Sequence, residues 1–161
     1  MIKIIPSKDA GKTARKLKEQ GKVIVVAGGC FDILHLGHIK FLEEAKKQGD
    51  FLFVILESDE SVKSKKGEKR PINSQHDRAY ILSALSSVNF VIPLQGVTTN
   101  QDYDTLMAEI SPSVIATTQN DPGVKHKERQ AKKIGGKVKF VIRRIGNIST
   151  SKLAGFSDTE L

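Results

Sequence analysis

The sequence predicts an α/β protein in which a parallel sheet is covered by helices on both faces. Short apolar runs alternate with longer helical patterns along the chain, which is the order expected of parallel strands joined by helices. The runs at 23–27 and 51–56 are apolar throughout, as strands buried on both faces are. Glycines close the first two helical patterns, at Gly21 and Gly49.

These signals predict the elements in order. A short polar helix over 9–20 ends at Gly21, and the run 23–27 (Val-Ile-Val-Val-Ala) is a fully buried strand. A helix over 38–48 ends at Gly49. The remaining strands are predicted at 51–56, 90–92, 114–116 and 138–142, and the remaining helices at 74–87, 101–110, 124–134 and near 150–155. The helix over 74–87 is expected to turn four apolar side chains inward: Tyr80, Ile81, Leu82 and Leu85.

Length and composition limit the class of protein. A chain of 161 residues is long enough for one domain with a sizeable core, so we expect a single domain over 1–161, with a helical extension at 1–21 and a loose tail at 154–161. No run approaches the roughly 18 apolar residues of a membrane span. Cys30 is the only cysteine, so no internal disulfide can form. These features predict a cytoplasmic protein.

The charge predicts an anionic partner. Lys and Arg outnumber Asp and Glu by 26 to 18, and the excess clusters at 63–70 and 125–133. Aromatic residues do not interleave with these clusters, as a base-stacking surface would require. We therefore expect a nucleotide or phosphorylated metabolite as partner, with no nucleic acid and no membrane, and leave a homodimer open.

The stretch 28–38 carries the strongest functional signal. It follows the strand at 23–27 and runs into the helix that starts near His38. His35 and His38 are three residues apart and share one face of the first helical turn. Free backbone N–H groups and the positive end of the helix dipole make such a turn an anion site. Gly37 lets a ligand approach the backbone closely, which predicts a bound phosphate group.

Three other motifs are weaker. The two histidines with Asp32 and Cys30 nearby are compatible with a zinc site, although such a site does not need Gly37. A dinucleotide fingerprint fails after Gly28-Gly29, because Phe31 and Ile33 stand where its later glycines belong. A P-loop ending in 11–13 would need a glycine at Pro6.

Four segments are expected to converge on one site. Each follows a predicted strand, and ligands of parallel sheets bind beyond the carboxyl ends of the strands. The segments are 28–38, the basic loop 58–72, 117–123 and 143–151.

Three blocks in this order resemble one known family. The string from Gly29 to His38 resembles the signature of the cytidylyltransferase-like nucleotidyltransferases. Residues 61–73 with Arg78 resemble a block of the family's sugar-phosphate adenylyltransferases, notably the transferase half of bacterial ADP-heptose synthases. Residues 144–152 resemble a block of glycerol-3-phosphate and choline-phosphate cytidylyltransferases. The resemblance implies a Rossmann-like open parallel sheet, the fold of the HxGH nucleotidyltransferases.

The family's reaction is implied with its residue roles. An acceptor phosphate attacks the α-phosphorus of a nucleoside triphosphate in line, pyrophosphate leaves, and Mg²⁺ accompanies the triphosphate. The resemblance implies four catalytic residues: His35, His38, Lys63 and Arg144. The implied nucleotide-binding residues are Gly29, Cys30, Phe31, Asp32, Gly37, His38, Asp121, Ser149 and Thr150. The implied acceptor-binding residues are Lys63, Lys66, Arg70 and Arg78.

Several of these roles have alternatives. Asp32 would orient a histidine or help a metal, and no side chain is assigned as a metal ligand. Arg70 and Arg78 could equally be structural ion-pair residues, and Ser149 with Thr150 could be an ordinary helix cap. The family often has a Gly-Asp pair after the fourth strand, where this chain has the segment 116–121, so Asp121 is only a substitute carboxylate.

The substrates stay open at this point. ATP with a sugar phosphate such as heptose 1-phosphate is the first choice, because the longest resemblance runs from residue 23 through 78. CTP with glycerol 3-phosphate or a similar phospho-alcohol is second, favoured by Arg144. Flavin mononucleotide, the acceptor of FAD synthetases in this family, is a third acceptor. A nucleotide-binding regulatory module that has lost turnover is the alternative that is not an enzyme.

Overall fold

A computed structural model describes residues 3–119, 121–142, 153 and 155. The five strands are β1 (Ile24–Gly29), β2 (Phe51–Leu56), β3 (Phe90–Pro93), β4 (Val114–Thr118) and β5 (Lys137–Ile142). The six helices of the described residues are α1 (Ser7–Glu19), α2 (Leu36–Lys46), α3 (Asp59–Lys66), α4 (Gln75–Ala84), α5 (Asn100–Ile110) and α6 (Val124–Ile134).

The strands form one parallel sheet in the order β3-β2-β1-β4-β5, which confirms the predicted fold class. The chain moves outward from β1 through β2 to β3 and then crosses back to β4 on the other side of β1. The order therefore reverses between β1 and β4. In open α/β sheets a crevice for ligands lies at this point, beyond the carboxyl ends of the strands.

Helices cover both faces of the sheet, because successive side chains of a strand point to opposite faces. In β1, Val25 and Ala27 pack with the α2 and α4 side chains, whereas Ile24 and Val26 pack with those of α1, α5 and α6. All four β1 side chains are buried, as the uninterrupted apolar run predicts. The helix at the N-terminus belongs to this packing, since its Ala10 is fully buried in the second cluster.

The segment 58–72 was predicted as a loop, and the structure corrects this, because residues 59–66 form α3. The Ser58 hydroxyl accepts a hydrogen bond from the Ser61 N–H and caps the helix, acidic residues fill the first turn, and Gly67 follows the last turn at φ 97°. Val62 is the one large apolar residue of α3, so hydrophobic periodicity could not show this helix. Its capping pattern was the available signal.

The inward face of α4 also differs from the prediction. Leu82 is buried as expected, but Tyr80 is 69% exposed and Ile81 is exposed as well. The buried face consists of Arg78, Ala79 and Leu82, and the first two lie four and three residues before Leu82 on one side of the helix. The charged Arg78 thus takes a core position that the apolar pattern assigned to its neighbours.

No helix among the described residues is long and apolar enough to cross a membrane. Of the predicted C-terminal helix and the tail at 154–161, only Leu153 and Gly155 lie among the described residues.

Candidate functional site

The site is built around the turn from β1 into α2. His35 is the N-cap of α2, and its Nδ1 accepts a hydrogen bond from the Gly37 N–H at 3.1 Å. A Cβ on Gly37 would lie 2.9 Å from the His35 ring, so only glycine lets this imidazole fold back over the helix start. The first turn of α2 carries N–H groups without intrahelical acceptors, as every helix start does. The predicted anion site therefore has its backbone in place.

The two imidazoles are brought together as the spacing predicts. The rings of His35 and His38 stack with centroids 3.9 Å apart and an interplanar angle of 26°. The ring of Phe31 meets His38 edge-on at 5.2 Å. Phe31 itself is buried at a left-handed φ of 46°, and a Cβ on Gly29 would come within 3.0 Å of its ring. The Gly29 to Phe31 segment thus supports the histidine pair from the sheet side.

Both histidines favour the neutral form. The pKa of His38 is lowered to about 4, chiefly by burial and also by the neighbouring His35, while a backbone hydrogen bond with Ile33 opposes the shift. Burial also lowers the pKa of His35. Because Nδ1 of His35 accepts from Gly37, a neutral His35 carries its proton on Nε2. That N–H can donate to a phosphate oxygen.

The neutral state of His38 can be measured directly. NMR titration of the ring resonances of the free protein should give an apparent pKa of about 4 for His38, below the ordinary value of 6.5. Since unfolding restores the ordinary value, the unfolded chain binds more protons between these two pH values, and this histidine makes stability rise with pH across that window. A midpoint near 6.5 in the folded protein would contradict the burial that we ascribe to it.

Asp32 holds a neighbouring segment rather than a histidine. Its carboxylate accepts from the Arg70 Nε at 2.6 Å and from the backbone N–H groups of Ile72 and Asn73. Burial raises the pKa of Asp32, but the donors from Asn73, Ile72 and Arg70 outweigh it, and the pKa lies below its usual value. The carboxylate and the guanidinium are both buried. Neither the predicted histidine contact nor a metal role fits this arrangement.

Arg78 joins several strand ends at the site. Its guanidinium donates to the backbone carbonyls of Cys30, Glu57 and Asn73 and to the carboxylate of Asp59. The side chain is fully buried. These contacts support the structural alternative for Arg78, and the ion pair with Asp32 does the same for Arg70, while acceptor binding by either arginine stays an untested prediction.

The predicted lysines lie on α3. Lys63 forms an ion pair with Glu68, and Lys65 donates to the carboxylate of Glu57 at 2.7 Å. Lys65 and Lys66 both lie close enough to Cys30 for their charges to act on its thiol. Burial nevertheless raises the pKa of Cys30, and Glu57 adds to the rise. The basic last turn of α3 thus adjoins the β1–α2 turn.

Asp121 lies beyond the end of β4 and forms its own group of hydrogen bonds. Its carboxylate accepts from the Thr117 hydroxyl, the Lys127 ammonium and the Gly123 N–H. Burial raises the pKa of Asp121, but the hydrogen bonds from Lys127, Thr117 and Gly123 outweigh it and lower the pKa overall. The sequence analysis did not single out Lys127, although the basic cluster at 125–133 contains it.

Two further residues at the site escaped the sequence analysis. Glu57 follows β2 directly and is buried, and its carboxylate accepts a hydrogen bond from the Tyr103 hydroxyl in the first turns of α5. The signal that was available is the position of Glu57 directly after a buried strand, because residues at the carboxyl ends of parallel strands face the ligand crevice. Arg144, Ser149 and Thr150 lie outside the described residues, so their predicted contacts are untested.

Among the described residues, no group of three or more His, Cys, Asp or Glu side chains is arranged to hold a metal ion. The site that the structure brings together consists of two neutral imidazoles and first-turn N–H groups, with Lys65 and Lys66 close enough for their charges to act on Cys30. This set suits an anionic ligand that carries phosphate groups.

Comparisons with known proteins agree with this chemistry. The sequence model of the family described as cytidylyltransferase-like matches residues 26–160. The bifunctional protein HldE of Aliarcobacter butzleri is 59% identical over 81 residues, which are 50% of this chain and 17% of that protein. HldE of Campylobacter fetus is 44% identical over 121 residues, which are 75% of this chain and 24% of that protein. The chain thus spans less than a quarter of the length of these two curated relatives.

Solved structures share the fold. The lipopolysaccharide core biosynthesis protein of Thermoplasma volcanium is 31% identical, with a TM-score of 0.62, and the match covers 80% of this chain and all of that one. A pantoate-beta-alanine ligase of Francisella tularensis has a TM-score of 0.71 over 99% of this chain and 75% of that one. Its identity is 14%, so this likeness concerns the fold alone.

Proposed function

This chain belongs to the cytidylyltransferase-like family, and we propose that it transfers a nucleoside monophosphate from ATP to a sugar phosphate such as heptose 1-phosphate. Pyrophosphate is the second product. The family match covers most of the chain, and the segment with the highest identity among the relatives above belongs to HldE proteins. Their shared segment corresponds to the resemblance to the transferase half of ADP-heptose synthases noted in the sequence.

The stacked pair of neutral imidazoles at the start of α2 is the observation that carries this proposal. In-line transfer needs no covalent intermediate, so the protein has to position two phosphates and stabilise the charge that builds up between them. The Nε2–H of His35 and the first-turn N–H groups are preorganised donors, and His38 stacks directly beside them. Two neutral rings can lie against each other without the repulsion that two imidazolium ions would meet.

Magnesium belongs to the proposal as a companion of the triphosphate. Asp32 is the carboxylate within the motif, and its oxygens are occupied by Arg70, Ile72 and Asn73. The residues present therefore fit an ion held by phosphate oxygens and water, which is the usual arrangement for Mg²⁺ with nucleotides. Bound there, the ion would neutralise phosphate charge and assist the departure of pyrophosphate.

A CTP-dependent transfer to glycerol 3-phosphate is the second candidate. The resemblance of 144–152 to cytidylyltransferases favours it. The segment 116–121, where Asp121 bonds with Thr117 and Lys127, departs from the family's pattern and leaves the choice of base open. It begins within β4 and runs past the carboxyl end of that strand to the crevice, where a base or ribose would be recognised.

A panel assay tests the proposal. ATP, CTP, GTP and UTP are each paired with heptose 1-phosphate, glycerol 3-phosphate and flavin mononucleotide in the presence of Mg²⁺, and pyrophosphate release is measured. We expect the highest kcat/KM for ATP with heptose 1-phosphate. A preference for CTP with glycerol 3-phosphate would select the second candidate. Tight nucleotide binding without pyrophosphate release for any pair would favour the regulatory module.

Lys66 allows a separate test of acceptor binding. Its side chain is exposed in the last turn of α3, close enough to Cys30 for its charge to act on that thiol. We expect Lys66→Ala to raise the KM for heptose 1-phosphate about tenfold, because an interaction of an ammonium with a phosphate is lost, which corresponds to about 1.4 kcal/mol. Steady-state kinetics at fixed saturating ATP measure this.

The matched control for that test is Lys16→Ala, which removes the same charge from α1. If both variants change the KM equally, the effect comes from the overall positive charge and not from a contact at Lys66.

A further inference from the structure

Glu57 is a buried carboxylate that the mechanism above does not use. It directly follows β2 and continues the side-chain alternation of Phe53 and Ile55, so it faces the side of the sheet covered by α5. Only 6% of the residue is exposed. A charged side chain in such a place normally has partners for both of its oxygens.

The partners of Glu57 are unevenly distributed. Oε1 accepts from the Lys65 ammonium at 2.7 Å and from the Tyr103 hydroxyl. Oε2 is also buried, and no donor among the described residues reaches it. An acceptor that is buried without a donor destabilises a fold, so its presence at the edge of a binding crevice suggests a ligand that supplies the donor.

The position of Glu57 relates this carboxylate to the proposed reaction. Its backbone N–H donates to the carbonyl of Gly29 at 3.2 Å, so it lies beside the turn that carries His35 and His38. Strand β2 lies on one side of β1, whereas Asp121 follows β4 on the other side. In the proposed reaction the triphosphate of the nucleotide lies at the start of α2 and its base lies toward Asp121. The part of the crevice beside β2 is then free for the acceptor.

We propose that Oε2 of Glu57 accepts a hydrogen bond from a hydroxyl group of the phosphorylated acceptor, so that Glu57 selects acceptors rich in hydroxyl groups. This inference rests on the proposed function. A carboxylate only accepts hydrogen bonds and repels phosphate, so the group that it binds has to be a neutral or cationic donor. In a sugar phosphate that donor is a hydroxyl away from the reacting phosphate.

Lys65 and Tyr103 explain how this oxygen becomes accessible and stays in place. Lys65 forms an ion pair with Glu57, and the side chain of Lys65 is 46% exposed. Movement of this side chain can therefore open a path for the acceptor. Tyr103 is half-buried, and burial together with Glu57 raises the pKa of its phenol, which therefore remains a donor at neutral pH. Tyr103 is thus a positioning residue for Glu57.

The test measures the coupling between Glu57 and individual hydroxyl groups. Heptose 1-phosphate and analogues that each lack one hydroxyl are compared at saturating ATP with the wild type and with Glu57→Gln. We expect the wild type to prefer the full sugar over one particular analogue by about 100-fold in kcat/KM, in line with loss of a hydrogen bond at a buried polar site. Glu57→Gln should reduce that single preference about tenfold, because a neutral acceptor binds a hydroxyl more weakly than a charged one. The KM for ATP should not change.

The control is Glu60→Gln, which removes an exposed carboxylate from α3 and should leave every preference as in the wild type. If Glu57→Gln fails to fold, Tyr103→Phe takes its place, since it leaves the carboxylate present but unsupported and should weaken the same preference.

Three outcomes overturn the proposal. Equal preferences in the wild type and the folded variants would mean that Oε2 binds water or nothing, while the proposed function would stand. A loss of all preferences together would mean a structural role for Glu57. Absence of turnover of heptose 1-phosphate by the wild type would remove the proposed function and this inference with it.

Discussion

Replacing His38 with alanine is expected to lower kcat about 10²- to 10³-fold, which is the usual effect of removing one preorganised group that stabilises charge in a transition state. His38 stacks on His35 and meets Phe31 edge-on at the start of α2. The ring of His38 is half-buried but does not cap the helix, so the circular dichroism spectrum of the variant should match that of the wild type. Single-turnover release of pyrophosphate measures the chemical step.

His76→Ala is the matched control for this variant. His76 is an exposed histidine in the first turn of α4, and its removal should leave kcat unchanged. Turnover of His38→Ala within threefold of the wild type would contradict the role of His38, and the phosphate-binding function would then rest on His35 and the helix start alone.

Replacing Asp32 with asparagine is expected to lower the free energy of unfolding by about 3–5 kcal/mol, the range measured when one partner of a buried ion pair is removed. The Arg70 guanidinium keeps its charge in a buried place, and the backbone donors of Ile72 and Asn73 lose a charged acceptor. Urea denaturation followed by circular dichroism measures the change.

Acid should reveal the same interaction in the wild type. The pKa of Asp32 is lowered in the folded protein, so its contribution to stability is complete above the ordinary pKa and is lost as the pH falls through the folded value. The wild type should therefore lose stability below about pH 4 more steeply than Asp32→Asn does, because the variant has no group to protonate there.

Glu43→Gln serves as control for both measurements. Glu43 pairs with Lys40 on the surface of α2, where both side chains are about half exposed. Such pairs contribute about 0–1 kcal/mol. A similarly small change for Asp32→Asn, or parallel pH profiles for the variant and the wild type, would contradict the structural role that we assign to Asp32.

The fold was predictable because its central strands, β1 and β2, are buried on both faces. Such strands appear as uninterrupted apolar runs. The run predicted for β2 has the observed bounds, and the run predicted for β1 lies within two residues of them. Helix α3 was missed because its only large apolar residue is Val62, so it shows no periodicity and is identified by its capping pattern. Tyr80 was wrongly predicted to be buried, because the apolar nature of a residue does not by itself show which side of a helix faces the sheet. In α4 the side that faces the sheet carries Arg78.

Local sequence also determined the centre of the site. The motif from Gly29 to His38 specifies its own geometry, since His35 caps the helix through Gly37 and His38 lies one turn along the same face. These contacts join residues two or three positions apart, and the helix itself determines their distances. The histidine pair, the backbone geometry of the helix start and the family were therefore predictable from the chain.

Only the tertiary structure decided which charged residues hold the site together. Asp32 meets Arg70 across 38 positions, Arg78 reaches Cys30 across 48, and Glu57 meets Tyr103 across 46. No local pattern specifies such pairs, because the parallel sheet brings the ends of β1 and β2 together with α3, α4 and α5 only after the whole core has packed. A charged side chain in this chain can face a ligand or pair with another charge, and its burial decides which. Burial depends on how the helices and the sheet pack together, so the tertiary structure is needed to know it.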